Sequence, residues 1–332
     1  MRKTPATPAT PAPRVAAALK AASRVIIATH VQPDGDAVGS VLGLAHGLRA
    51  AGRRVAVWPL DRPPRRYAFL PGFDEFALAG APTFRAGDVL AALDCAAANR
   101  LPPPVAAYAR KGGDVVNLDH HASNERFGAV AWVEPAAPAT AALVWAVLRE
   151  MQTPLPFPAA LALYVGLVTD TGGFSFSNTN GWAFEVAADL VARGVRPAEV
   201  ETDLYERYTL EHVRVLGAAL AGMKRAAGGA VVYTSLPLDA MTRAGATGDE
   251  TEGVVDYTRR VEGCRVGVLF RELADGGVKV SFRAGVGEDV LPLAVAHGGG
   301  GHPAAAGCRL EGSLAEVERL VIAEVEAWLR RR

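Results

Sequence analysis

The chain has 332 residues, half of them hydrophobic and 21% charged, a globular composition with length enough for two domains. Its 35 basic residues match its 35 acidic ones, which argues against a long footprint on polymeric nucleic acid, where phosphate contacts supply most of the affinity. No uninterrupted apolar run reaches the length of a membrane span, and the amino-terminal "MRKTPATPATPAPRV" lacks the apolar core of a signal peptide; a cytoplasmic protein is expected.

Residues 1–13, rich in Pro, Ala and Thr, are expected to form a disordered tail. Over residues 14–194, short β-rich runs alternate with helical stretches. "RVIIAT" is followed by the helical "AVGSVLGLAHGLRAAG", then by "RRVAVWPL", "DVLAALD", a Pro-broken helical segment and "GGDVVNLD". "PATAALVWAVLREM" (138–151), "PAALALYVGLVTD" (158–170) and "GWAFEVAADLVARG" read as helices. Residues 195–224 are polar and helical and read as a connector. Over 225–332, "GGAVVYTSLP", "CRVGVLFRE" and "GVKVSFRA" read as strands, and "SLAEVERLVIAEVEAWLRR" as a terminal helix. The expected class is α/β: a larger N-terminal domain with a mainly parallel sheet flanked by helices, the helical connector, and a smaller α/β C-terminal domain. Cys95, Cys264 and Cys308 have no CxxC spacing and read as small hydrophobes in a reducing compartment.

In open α/β sheets, ligands bind beyond the carboxyl ends of the parallel strands. His30, Asp34 and Asp36 follow "RVIIAT", Asp94 ends "DVLAAL", Asp119, His120 and His121 end "GDVVNL", and Asp170 ends "LALYVGLVT". Each alone has an ordinary explanation: an Asp ahead of "AVGS" is a good helix N-cap, as is Asp94, and Asp170 before Thr-Gly-Gly suits an Asx-turn. Together they behave differently. Carboxylates converging on one pocket repel one another, and bound cations remove that penalty. Four aspartates with two or three histidines suit two divalent ions, the imidazoles favouring Mn²⁺ over Mg²⁺.

The order and spacing of these segments resemble a known family. "HVQPDGDAVGS", the lone Asp94, "DHH" at 119–121 and "TDTGGF" at 169–174 resemble the four successive motifs of the DHH phosphoesterases. "GGGGHPAAAG" at 298–307, with "SFRA" at 281–284 before it, resembles the DHH-associated C-terminal domain. The resemblance implies one metal held by His30, Asp34 and Asp94 and another by Asp36, Asp94, His120 and Asp170, with Asp94 bridging and a water activated by both ions as nucleophile. It implies that His121 faces the substrate phosphate and that Asp119 orients a ligand imidazole, so that Asp94, Asp119, His120 and His121 carry the chemistry. Arg283, His302 and the backbone of Gly299, Gly300 and Gly301 are implied to bind substrate with His121.

The domain pairing is shared by RecJ-type exonucleases, nanoRNases and cyclic-dinucleotide phosphodiesterases. The compact, neutral chain fits the nanoRNase type: an enzyme hydrolysing short oligoribonucleotides to mononucleotides and dephosphorylating 3′-phosphoadenosine 5′-phosphate. Stand-alone cyclic-di-AMP or linear-dinucleotide phosphodiesterase, RecJ-like exonuclease and a non-enzymatic nucleotide sensor are the alternatives. The expected partners are short RNA and small phosphorylated nucleotides, with no membrane and with a homodimer allowed.

Overall fold

The computed structural model describes residues 11–58, 63–77 and 83–331. They form two compact units, one running through Arg207 and one starting at Tyr208, so the division falls inside the stretch read as a connector.

The first unit comprises α1 (Ala12–Ala21), β1 (Arg24–Ala28), α2 (Gly35–Ala50), β2 (Val55–Val57), β3 (Asp88–Leu93), α3 (Pro103–Arg110), β4 (Val115–Asp119), β5 (Val130–Val133), α4 (Thr140–Glu150), α5 (Phe157–Asp170), α6 (Gly181–Ala192) and α7 (Pro197–Glu201). α1 begins two residues inside the expected tail, with Pro13 in its first turn, where a missing N–H costs nothing; residues 1–10 of that tail lie outside the described residues. The five strands are parallel throughout, in the order β2-β1-β3-β4-β5. Every residue of β3 and β4 is buried, which is why these strands read as continuous apolar runs rather than alternating ones. From β1 the chain moves outward to β2 and then crosses back to β3. That reversal opens a crevice at the carboxyl ends of β1 and β3, where His30 and Asp94 stand.

α2 is buried on nearly all sides, and glycines at 35, 39, 43 and 47 put a side-chain-free line along it. A Cβ on Gly39 would lie 2.4 Å from the Ala162 carbonyl oxygen and 2.6 Å from the Gly166 nitrogen, so α2 and α5 approach at backbone contact. This crossing sets the distance between Asp36 near one helix start and Asp170 at the other helix end. Because the obstacle is backbone, Gly39→Ala is expected to cost about 1–3 kcal/mol, read as a lowered melting temperature; an unchanged one would show that the helices part freely.

The second unit contains α8 (Leu210–Ala221), β6 (Lys224–Ala226), β7 (Val231–Leu236), α9 (Leu238–Ala244), β8 (Val266–Glu272), β9 (Gly277–Ala284), α10 (Leu291–Val295), β10 (Gly300–His302), β11 (Ala305–Glu311) and α11 (Leu314–Arg330). Its sheet runs β10-β11-β9-β8-β7-β6, antiparallel except for the β7–β8 pair. α11 opens with a capping box of Ser313 and Glu316. Its buried Val317, Val321, Val325 and Trp328 join Val268, Phe270, Val280 and Phe282 in one core. The glycine stretch is partly a strand: Gly300–His302 pair with Ala305–Gly307. Gly and Ala carry little β-propensity, so that pairing is supplied by the neighbouring strand rather than by local sequence. No helix among the described residues is long and apolar enough to cross a membrane.

Candidate metal centre

Five chain segments deliver the polar groups to one end of the first sheet. β1 ends before His30, β3 before Asp94, and β4 supplies Asp119 with His120 and His121 directly after it. α2 brings Asp34 and Asp36 at its start, and α5 ends on Asp170. Asp34 is the N-cap of α2, accepting the Ala37 N–H at 3.1 Å. Asp36 does not cap its own helix. Its Oδ2 accepts the Thr140 N–H at 2.6 Å and its Oδ1 the Ala141 N–H at 2.9 Å, so it caps α4, more than a hundred residues on. Ser40 donates a third hydrogen bond to Oδ1 at 3.1 Å.

Three groups place their ligand atoms within 4.8 Å of one another: His30, Asp34 and Asp94; Asp36, His120 and Asp170; and Asp94, His120 and His121. Asp94 joins them. Its Oδ2 lies 3.6 Å from His30 Nε2, while Oδ1 lies 3.9 Å from His120 Nε2 and 3.7 Å from His121 Nδ1. Its backbone is left-handed, with φ 53°, a conformation that Asp and Asn accept more readily than other side chains. His120 Nε2 is 3.6 Å from Asp170 Oδ2 and 3.9 Å from Asp36 Oδ2. These separations exceed hydrogen bonds and suit donors arranged around a cation.

Both imidazoles are oriented for that task. His30 Nδ1 donates to the Val31 carbonyl at 2.8 Å and His120 Nδ1 to the Ala137 carbonyl at 3.3 Å, which leaves each Nε2 as the atom turned to the carboxylates. Asp94 Oδ2 is buried with no hydrogen-bond partner among the described residues, an arrangement costly for a carboxylate unless a cation meets it. The donor set therefore fits divalent metal on two sides of Asp94.

Charge crowding shows in the acidities. Burial, then the charges of Asp94, Asp170 and Asp34, push Asp36 well above the usual carboxylate range, against the Ala141 N–H. Burial raises Asp170 to about 7, with Asp34 and Asp94 adding and His120 and His121 opposing. Burial also opposes ionisation of Asp94, but His30, His121 and His120 outweigh it and hold that carboxyl below its usual range. His121 is disfavoured as a cation by burial, yet its 2.7 Å bond to Asp119, with Asp94 nearby, raises it to about 9.

The sign of the resulting pH dependence follows. Asp36, Asp170, His30 and His121 all bind protons more tightly in the folded chain than in the unfolded one. The metal-free protein is thus expected to lose stability as pH rises from about 5 to about 9, while Asp94 acts only in acid. Cations replace those protons, so the gain in melting temperature from added Mn²⁺ should grow over the same range. Thermal melts with chelator and with Mn²⁺ read both trends; a metal-free melting temperature that climbs with pH would refute the crowding.

Asp119 holds the imidazole of His121 rather than that of His120. Its Oδ1 accepts from His121 Nδ1 and from the His120 N–H at 2.9 Å, and its Oδ2 accepts from Asn124 Nδ2 at 2.6 Å. The reason is geometric: the Ala137 carbonyl already takes the other nitrogen of His120. Asn124 also reaches Asn117 Oδ1 at 3.0 Å, and Asn117 is anchored on the Ala92 and Cys95 carbonyls. The support residues Thr140, which donates to Asp94 Oδ1 at 2.9 Å, Asn117, and Asn178, which donates to Asp170 Oδ2 at 3.1 Å, escaped sequence reasoning. Phe174 packs against Tyr164 and Phe184, as core rather than as a stacking surface.

The other expected residues stand in the second unit. Arg283 on β9 donates from Nε to Asp256 at 2.7 Å. Gly299 precedes β10, and Gly300 and Gly301 lie in it. His302 ends the strand, and its side chain lies outside the described residues.

Two family models match the chain: the DHH family, N-terminal domain, over residues 24–167, and the DHHA1 domain over 228–331. The bifunctional oligoribonuclease and PAP phosphatase NrnA of Thermus thermophilus is 39% identical over 90% of this chain and 88% of its own. The protein of that name from Bacillus subtilis is 28% identical over 91% and 93%. Among solved structures, an exopolyphosphatase-related protein from Bacteroides fragilis superposes with a TM-score of 0.85 at 25% identity, covering 96% of this chain and 97% of that one. Exonuclease RecJ bound to manganese shares the fold, with a TM-score of 0.54 at 16% identity over 97% and 95%.

Proposed function

The chain belongs to the DHH family of phosphoesterases, metal-dependent hydrolases of phosphate esters, and we propose that it cuts very short RNA to mononucleotides and removes the 3′-phosphate of 3′-phosphoadenosine 5′-phosphate. The observation that carries this reading is the pair of ligand sets meeting at Asp94, in a chain 39% identical to an enzyme named for both activities. Two Mn²⁺ ions are the proposed cofactors, one at His30, Asp34 and Asp94 and one at Asp36, Asp94, His120 and Asp170, in a cytoplasmic enzyme. When bound, such ions supply the positive charge that activates a water and offsets charge on the phosphoryl oxygens.

The chain's own residues supply orientation. Asp94 spans both sets, so its two oxygens fix the spacing of whatever they bind. His121, which in the metal-free chain is raised to about 9 by its bond to Asp119 with Asp94 nearby, against burial, is the residue proposed to face the substrate phosphate. Asp119, held by Asn124, keeps that imidazole in place. Arg283, steadied by Asp256, is the proposed clamp on a substrate phosphate in the second unit, with the backbone of Gly299 to Gly301 and with His302.

A side-by-side assay tests the reading: Mn²⁺-dependent turnover of two- to five-nucleotide RNA, long RNA, long single-stranded DNA, 3′-phosphoadenosine 5′-phosphate and cyclic di-AMP. Short RNA and 3′-phosphoadenosine 5′-phosphate should be preferred. Processive degradation of long DNA with short RNA left intact would overturn the assignment.

A further inference from the structure

The face of the second sheet that bears Arg283 carries more positive charge than one clamp needs. Cross-strand partners share a face. Arg283 pairs in register with Gly267 and Ala305, Ser281 with Leu269 and Gly307, and Lys279 with Arg271 and Arg309. Three cations therefore stand side by side across β8, β9 and β11, one row of residues beyond the Ser281–Gly307 row and two beyond Arg283. Like charges directly opposite one another destabilise a sheet.

Neutralisation is uneven along that row. The Arg309 guanidinium is bound by Asp275 at 2.6 Å and Glu311 at 3.0 Å. Arg283 is bound by Asp256. Arg271 and Lys279 make no hydrogen bond or ion pair with any described residue; Asp249 and Glu252 act on Arg271 only through space. Loss of hydration, then the charge of Arg271, lowers the Lys279 ammonium, with Arg283 adding and Glu252 opposing. The Arg271–Lys279 pair is thus held together at a cost, which a bound anion removes.

Between the two rows β8 is covered, its Leu269 buried with Val254 and Val255, but β10 and β11 carry no side chain there. Gly300 pairs with Gly307, which pairs with Ser281. A Cβ on Gly300 would meet nothing within 4 Å, and its φ is not positive, so neither packing nor backbone requires glycine there. The same strip separates Arg283 from Lys279 by four residues of β9, about 13 Å, too far for one phosphate to sit close to both Cα positions.

We propose that Arg271 and Lys279 form a second phosphate subsite, on the same sheet face as Arg283 but separate from it, which grips the backbone of a substrate with more than one phosphodiester. The inference rests on the short-RNA reading above for the identity of its ligand as a phosphodiester; that the ligand is an anion follows from the cations alone.

Two measurements on the full chain decide it. In the first, kcat/KM with Mn²⁺ is compared for five- and two-nucleotide RNA. The five-to-two ratio should fall about tenfold in Lys279→Ala or Arg271→Ala, since a tenfold change corresponds to about 1.4 kcal/mol, the size of one charge-assisted hydrogen bond. Lys279→Arg should restore it. A ratio that stays at the wild-type value, or is not restored by arginine, overturns the subsite. In the second, binding of a labelled five-nucleotide RNA to an Asp94→Asn background is followed against salt concentration, and each cation removed should lower the slope by roughly 0.7. If the wild type cleaves no RNA, the functional reading falls by itself, and an unchanged salt slope would then remove the subsite as well.

Discussion

Asp94→Asn is expected to abolish phosphoester hydrolysis, by about a thousandfold or more, while leaving the chain folded. A thousandfold corresponds to about 4 kcal/mol of lost transition-state stabilisation, reasonable for a change that removes the negative charge shared by two ligand sets and puts an NH₂, which cannot ligate, in place of the oxygen facing one of them. Asparagine is the informative replacement for a local reason. Asp94 has φ 53°, which Asn tolerates nearly as well, whereas Ala there adds backbone strain. The Thr140 hydroxyl that meets Oδ1 at 2.9 Å can still donate to an amide oxygen. Asp36 and Asp170 lose a repelling neighbour while His30, His120 and His121 lose an attracting one, so the two changes oppose each other. Circular dichroism and thermal melts should therefore look native with chelator present, the Mn²⁺-induced rise in melting temperature should shrink, and turnover should vanish. Appreciable hydrolysis by a metal-loaded Asp94→Asn protein would mean that Asp94 does not bridge.

The candidate metal ligands were legible because of the sheet's architecture. Parallel strands covered on both faces read as apolar runs, so a charged residue at the end of such a run is conspicuous, as Asp94 is after "DVLAAL". The reversal in strand order then says that the ends of β1 and β3 face one crevice. The supporting layer was not legible. Thr140, Asn117 and Asn178 are common polar residues without periodicity, and their partners lie far off in the chain; Thr140 reaches Asp94 across 46 positions. β5 and β10 were missed because four- and three-residue strands hold too few side chains to show alternation. The glycine line on α2 was visible as a period of four, but only the approach of α5 gives it meaning.

Asp36 carries the second large expectation, because the fold gives it two jobs. Its carboxylate accepts the Thr140 and Ala141 N–H groups at the start of α4 and the Ser40 hydroxyl, three donors on two oxygens. It also completes the ligand set with His120 and Asp170. In Asp36→Asn one of the two oxygens becomes an NH₂ that faces a donor, so a buried backbone N–H loses its partner whichever way the amide is turned. Asp94→Asn creates no such conflict. Asp36 holds its proton more tightly than a free carboxyl, whereas Asp94 is kept ionised by His30, His121 and His120; the two changes alter the cluster's charge differently, so Asp36→Asn is compared with the wild type in chelator. What is lost is the cap, worth about 1–2 kcal/mol, or a melting temperature roughly 2–8 °C lower for Asp36→Asn. Hydrolysis should be lost in both. Equal melting temperatures for the metal-free Asp36→Asn and wild-type chains would show that α4 does not need Asp36, and that its carboxylate is there for the metal alone.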